Sequence, residues 1–448
     1  MYLREGILSN RNFAAHIKIV CQIYEQGLEL VQSAGGEIDA ILLHSGSEQF
    51  YYSDDRVIPF QAFGHFCHWL PANRPDQFVY FAPGSKPVYL QIVPNDYWYE
   101  QTIEMADWWA SEFEIIRLGS ITELESQLPA GNAAYLGSNQ QLAVQLGIAP
   151  DAINPLQLLH FLDFQRAYKS DYELEQLREA NRLAITGHWA ARDCFLDGGN
   201  EYMIHRAFLD TCNILEEESP YTNIVALDEK SAILHYQHKR RNTADLSQVL
   251  LIDAGCRING YGSDVTRTWT KQNVHPVFKQ LLTGIQALEQ GLVGLAKPGV
   301  VYSELHSAAL AGIASLLSEL DICNASAETL IDQQVPQLFM PHGVGHLLGI
   351  QVHDVGGHQA DISGTRQQPP SHSPTLRNTR ELAENMVFTI EPGCYFIPLL
   401  LEPQRIQTSG SLINWPLVDE LYACGGIRVE DNVRVTSNGV ENLTRQFE

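Results

Sequence analysis

The sequence predicts an α/β (α+β) protein of two domains, and three observations carry that reading. Apolar residues alternate between helical and strand spacing up to about residue 165. A capping-box signature then opens a long amphipathic helix at Ser170, and the strand-like runs that follow it end in acidic residues.

The 448 residues carry 29 Lys and Arg against 53 Asp and Glu, a formal charge of −24. With 45 % hydrophobic and 18 % charged residues, the chain is globular and long enough to bury a large core without disulfides. The acidic balance argues against a nucleic-acid footprint or adhesion to anionic lipid, so neither nucleic acid nor membrane is expected as a partner. Met1 to Asn10 carries Arg4 and Glu5 with only Ile7 and Leu8 adjacent, which is no signal-peptide core, and no window approaches the ~20 apolar residues of a membrane span. Eight cysteines are scattered without a Cys-x-x-Cys pair, which fits reduced thiols and a cytoplasmic location.

From Phe13 to Gln32, the residues Ala15, Ile19, Ile23, Leu28 and Val31 keep helical spacing until Gly35-Gly36 breaks it, and Ile38 to Leu43 reads as a buried strand. Phe78 to Phe81 and Val88 to Val93 flank Pro83-Gly84-Ser85-Lys86-Pro87, a hairpin by its turn chemistry. Segments at Phe113 to Arg117, Ile121 to Leu128 and Ala134 to Leu136 continue an α/β domain over residues 1–165. The second domain, 166–448, opens with Ser170-Asp171-Tyr172-Glu173 and the apolar face Leu174, Leu177, Ala180, Ala184, Ala191 and Phe195, closed by Gly198-Gly199. Gln359 to Pro374 is a polar surface loop.

The chemistry-bearing residues lie in that second domain. Val249 to Ala254 is a strand ending in Asp253, and Asn259-Gly260 is a two-residue hairpin turn. That turn sets Ile258 opposite Tyr261 and Asp253 opposite Thr266, so Asp264 shares the face of Asp253 one diagonal away, at roughly 7 Å. In Pro341-His342-Gly343-Val344-Gly345-His346 the two glycines oppose a helix, so this is not a helical zinc motif. They remove bulk, letting one imidazole approach an ion while the other faces substrate. Glu391 stands where Met386 to Ile390 meets Pro392-Gly393, and Glu430 shares a strand face with Arg428. Four carboxylates and one histidine form a hard, oxygen-rich ligand set suited to two Mn²⁺ ions, with Co²⁺ or Zn²⁺ possible in the same geometry.

Asp253, Asp264, His346, Glu391 and Glu430, in this order and these contexts, resemble the ligands of the metallopeptidase family with the pita-bread fold, which includes methionine aminopeptidase, aminopeptidase P and prolidase. The proline dipeptidase branch, allied to the organophosphorus acid anhydrolases, is the nearest likeness. Supporting segments are Pro220 to Leu227, Leu234-His235-Tyr236, Thr266 to Trp269, Gln351 to Val355 and Gly426 to Asn432. The likeness is strong from about residue 165 onward and weaker in Leu43 to Gly46 and Asp96 to Trp98.

The resemblance implies that Asp253 binds one ion, His346 and Glu391 the other, and Asp264 and Glu430 both, around a bridging hydroxide. It makes Glu391 the proton carrier and His235, His342 and His353 the substrate-facing histidines. Arg380 would clamp the free carboxylate of a dipeptide, with Arg428 beside the metals and Tyr221, Tyr302, Val352 and Leu376 lining the pocket. Asp55 would be given by a neighbouring subunit, which implies a homodimer. The implied activity is hydrolysis of small Xaa-Pro dipeptides, with organophosphorus triesters as side substrates. Cleavage of longer Xaa-Pro peptides, or metal-free peptide binding, are the competing readings. Leu347, where proline is common, and Cys394, where an aliphatic residue is usual, depart from the pattern without removing a ligand.

Overall fold

A computed structural model describes residues 5–98, 100, 107–128, 131–242 and 244–448, so Arg4, in the segment read against a signal peptide, lies outside the described residues. The chain divides into two compact units, Met1–Gln176 with Asp361–Gly364 and Leu177–Ala360 with Thr365–Glu448. These compact units divide inside the helix Asp171–Leu196, because the residues at its start are bonded to the first unit. Ser170 Oγ lies 2.8 Å from His16 Nδ1. Four residues of the polar insertion also belong with the first unit, where His160 Nδ1–H donates to Ser363 O at 3.1 Å.

In the first unit the helix Glu5–Ser33 forms as the apolar spacing predicts, but with a different inner face. Phe13, Ile17, Val20, Tyr24, Leu28 and Val31 are buried, whereas Ala15 and Ile19 are exposed and Ile23 is only half-buried. The reason is the helix Leu156–Gln165, which packs so closely that a Cβ on Gly27 would stand 2.7 Å from Leu158 and 3.2 Å from Phe161. The sheet has the order Glu114–Leu118, Val88–Ile92, Phe78–Phe81, Ala40–His44, Ala133–Leu136. Its inner pairs are antiparallel, including the expected Phe78–Phe81 hairpin, and its two outer pairs are parallel. Residues 121–126, part of a segment read from its apolar content, form a 3-10 turn.

At the end of the first unit the Ser170 cap closes reciprocally. Ser170 N–H donates to Glu173 Oε2 at 2.8 Å and Glu173 N–H to Ser170 Oγ at 3.4 Å. The helix they open buries all six residues of its predicted face, each large apolar side chain contributing ~1.5–3 kcal/mol. Three antiparallel strands, Thr266–Thr270, Val249–Asp253 and Ile224–Leu227, form one sheet. Val387–Ile390, Asp431–Val435 and Val440–Asn442 form a second, and Gly393–Tyr395 with Gly426–Arg428 a third. The helices Pro276–Leu295 and Tyr302–Glu319 pack against each other beside them.

Candidate metal centre

The hairpin register is the one the turn predicts. Asn259 and Gly260 have φ of 47° and 93°, the left-handed pair a type I′ loop requires, with Ile258 opposite Tyr261 and Asp253 opposite Thr266. Asp253 thus ends a strand paired on both sides, with Thr266 and with Ile224. Glu430 joins the same place, its N–H donating to Thr266 O at 3.1 Å while Thr266 Oγ1–H donates to Glu430 Oε2 at 2.7 Å. Arg428 completes this side by donating to Asp253 Oδ2 at 2.6 Å, to Thr266 Oγ1 at 3.0 Å and to Tyr395 Oη at 3.1 Å. Behind them Arg267 holds both main chains, giving Nη1–H to Glu430 O at 2.7 Å and to Thr266 O at 2.9 Å.

Opposite stand His346 and Glu391. Glu391 follows the strand Val387–Ile390 and donates its N–H to Val344 O at 2.9 Å. Gly345 has φ of 147°, and a Cβ there would lie 2.3 Å from Thr389 O and 2.4 Å from Tyr302 Oη. Glycine is therefore what lets the His342–His346 segment lie on this strand, where Thr389 N–H donates to His346 O at 2.9 Å. His346 Nδ1–H donates to Leu347 O at 3.0 Å, which turns Nε2 toward Asp264 Oδ2 at 3.3 Å and Glu391 Oε1 at 3.8 Å.

A ring nitrogen facing two carboxylates is a place that can hold a cation among them. One ligand-type atom from each of Asp264, His346 and Glu430 lies within 4.8 Å of the others, and Asp253 Oδ1 is buried with no hydrogen-bond partner. Burial pushes Asp253 up to about 6, Glu391 to about 7 and Glu430 well above the usual range, with neighbouring acids adding to each. Burial also pushes Asp264 up, but the imidazole of His346 outweighs it and holds that carboxyl low. Four acids and an imidazole in these positions fit hard divalent cations.

The carboxylates floor a cleft of about 260 Å³ whose rim includes His235, His342, His353 and Arg377. His235 is exposed in a turn after the 3-10 segment Asp228–Ala232. His342 reaches the cleft with both nitrogens engaged, Nδ1–H donating to Gly343 O at 2.7 Å and Nε2 accepting from Tyr395 O–H at 2.9 Å. His353 sets its ring nearly perpendicular to that of His346, with centroids 4.4 Å apart, and keeps an exposed edge. The Tyr221 hydroxyl is buried, and Asp253, Asp264 and Glu430 add to the burial that raises its pKa.

Other expected positions lie outside the residues that line the cleft. Arg380 is buried and does not line the cleft; its carbonyl accepts from Tyr302 N–H at 2.8 Å and its own N–H donates to Asn378 Oδ1 at 3.1 Å. The exposed guanidinium at the cleft is Arg377. Tyr302 is fully buried and donates its hydroxyl to Thr389 O at 2.6 Å, Leu376 is buried against Gly343, and Val352 is half-buried near Gly262. These three shape the walls behind the cleft rather than its lining. Asp55 is exposed in the first unit, on a loop closed by pairing of Phe50 with Val57. Cys394 and Leu347 are both buried, and neither faces the cleft.

Thr266, Tyr395 and Arg377 were the functional positions not singled out. The register already places Thr266 beside Asp253. Residues 175–437 match Metallopeptidase family M24 and residues 11–164 match the family described as Xaa-Pro dipeptidase, N-terminal domain. The Xaa-Pro dipeptidase of Pseudoalteromonas atlantica is 39 % identical over 439 residues, 96 % of this chain and 99 % of the relative. That of Pseudoalteromonas translucida is 41 % identical over 415 residues, 92 % and 93 % of the two chains. Among solved structures, aminopeptidase P from Escherichia coli with the inhibitor Pro-Leu superposes with a TM-score of 0.74 at 21 % identity, covering 98 % of this chain and 95 % of that one, a likeness of fold. With its pita-bread catalytic unit and this ligand set, the chain belongs to metallopeptidase family M24.

Proposed function

We propose that the protein is an Xaa-Pro dipeptidase that hydrolyses the imide bond of dipeptides ending in proline. The observation that carries this reading is a small acidic cleft with one exposed guanidinium, Arg377, among its lining residues. At about 260 Å³ it falls below the ~300–1,000 Å³ typical of pockets for larger ligands, which suits a dipeptide. Relatives near 40 % identity bearing the name Xaa-Pro dipeptidase support the same substrate.

Asp253, Asp264, His346, Glu391 and Glu430 would hold two divalent ions, Mn²⁺ with Co²⁺ or Zn²⁺ as alternates. When bound, such ions polarise a carbonyl and lower the pKa of water. Glu391, at the cleft, is placed to take a proton and pass it to the leaving proline nitrogen. His353 and His235 present ring edges to substrate, while Tyr395 and Arg428 hold His342 and Asp253 in place. Arg377 meets the substrate carboxylate, the task the sequence suggested for Arg380.

The test is free-proline release by manganese-loaded protein from an Xaa-Pro dipeptide, beside the same peptide lengthened by one residue. Preference for the dipeptide supports the proposal; release of the first residue from the longer peptide at higher efficiency replaces it with aminopeptidase P chemistry. Organophosphorus triester hydrolysis, a cytoplasmic location and a homodimer to which Asp55 contributes belong to the same proposal. Sedimentation of wild type against Asp55→Ala, together with the activity of mixtures, addresses the last.

A further inference from the structure

A second group of metal-ligand side chains lies in the first unit, far in sequence from the centre described above. His16 on the helix Glu5–Ser33, His68 after the short helix Gly64–Cys67, and Glu173 in the first turn of Asp171–Leu196 are all buried. One ligand-type atom from each lies within 4.8 Å of the others. His16 Nε2–H donates to His68 O at 2.8 Å, so Nδ1 is the nitrogen with the electron pair; it faces the cluster and accepts from Ser170 Oγ–H at 2.8 Å. A backbone carbonyl fixing the far nitrogen is how metal-binding histidines are usually oriented, and His346 is held in the same way by Leu347 O.

The spacings fit a bound ion better than direct hydrogen bonds. His68 Nε2 lies 3.7 Å from Glu173 Oε1, and His16 Nδ1 lies 4.0 Å from Glu173 Oε2. Both exceed the ~2.7–3.2 Å of a hydrogen bond. The first lies within a few tenths of an ångström of the roughly 3.3–3.4 Å edge of a tetrahedron whose metal–ligand bonds are about 2.0–2.1 Å, and the second, measured to the oxygen the helix cap holds, is longer. The helix cap accounts for Glu173 Oε2, which accepts from Ser170 N–H at 2.8 Å, but it leaves Oε1 turned to the imidazoles. Ser170 Oγ is hydrogen-bonded to His16 Nδ1 at 2.8 Å and is within reach of the same point as a fourth ligand once an ion displaces that bond.

We propose that His16, His68 and Glu173, with Ser170 completing the shell, form a structural site for a four-coordinate divalent ion, Zn²⁺ by the chemistry of two imidazoles and a carboxylate. The ion would tie together three segments of the first unit that are distant in sequence. Burial lowers His16 to about 4, so it is present as the neutral ligand form at neutral pH.

The test uses the full chain carrying Asp264→Asn and Glu430→Gln, which disables the other centre, loaded with Zn²⁺ alone and dialysed against metal-free buffer. Elemental analysis should find about one zinc per chain, and zinc should raise the thermal midpoint. Adding His68→Ala should remove the zinc and the midpoint shift. Glu173→Gln, which keeps the side-chain shape, should weaken zinc at least tenfold and so serves if His68→Ala fails to fold by circular dichroism. X-ray absorption at the zinc edge should show two imidazoles. A chain that holds no zinc after disabling the other centre, or zinc that neither variant affects, overturns the proposal.

Discussion

The floor and the rim of the cleft are built in opposite ways. Asp253, Asp264 and Glu430 are buried, with main chains or side chains bonded across strands, and Glu391 is tied to Val344. His235, His353 and Arg377 are exposed on turns and irregular segments. Ligands must converge within fractions of an ångström, which demands hydrogen-bonded sheet, whereas groups that meet a substrate can sit on segments that adjust to it.

The largest break in this contrast comes from the floor. Asp264→Ala should lower kcat by at least ~10³-fold with the far-ultraviolet spectrum unchanged, because the cation site loses a ligand. Retained turnover would remove Asp264 from the chemistry. Gly345→Ala should come next, costing about 3 kcal/mol in urea unfolding, since its Cβ would stand 2.3 Å from Thr389 O at a φ of 147°. On the rim, Arg377→Ala should raise KM for an Xaa-Pro dipeptide ~10- to 100-fold with little change in kcat, the value of a charge-assisted contact of ~1.5–3 kcal/mol. Arg380→Ala should lower the thermal midpoint and leave KM nearly constant; the reverse pattern would restore Arg380 as the clamp.

The smallest effect lies beneath both regions. His188 donates Nε2–H to Ala254 O at 3.0 Å, beside Asp253, and burial pulls its pKa down to about 3. Its folded value is below the ordinary 6.5, so its contribution to stability is complete above pH 6.5 and is lost as pH falls from there toward 3. His188→Gln should reduce the pH slope of the urea midpoint in that window by at most one proton, about 1.4 kcal/mol per pH unit.

What could be read in advance follows the same division. Asn259-Gly260 is a local signal, and it set the register from Ile258 and Tyr261 out to Asp253 and Thr266 before any tertiary contact was known. The Ser170 cap and the inner face of its helix were legible for the same reason. The burial of Arg380 was not, because Tyr302, distant in sequence, donates its N–H to the Arg380 carbonyl. The inner face of the first helix was missed because Ile19 and Ile23 also fall at helical spacing, and only the partner helix Leu156–Gln165 decides which stripe is covered. The break between units inside Asp171–Leu196 depended on buried partners of Ser170 that no local pattern reveals.

The contact between Arg428 and Asp253 joins residues 175 apart, and that between Thr266 and Glu430 joins residues 164 apart. During synthesis the amino-terminal ligands must therefore wait, on the ribosome, for the strand that carries Glu430. Closing loops of that length is slow, so assembly of the centre falls late in folding. A chain still being made is then an inert peptidase, and its hydrolytic power arrives only with the completed catalytic unit.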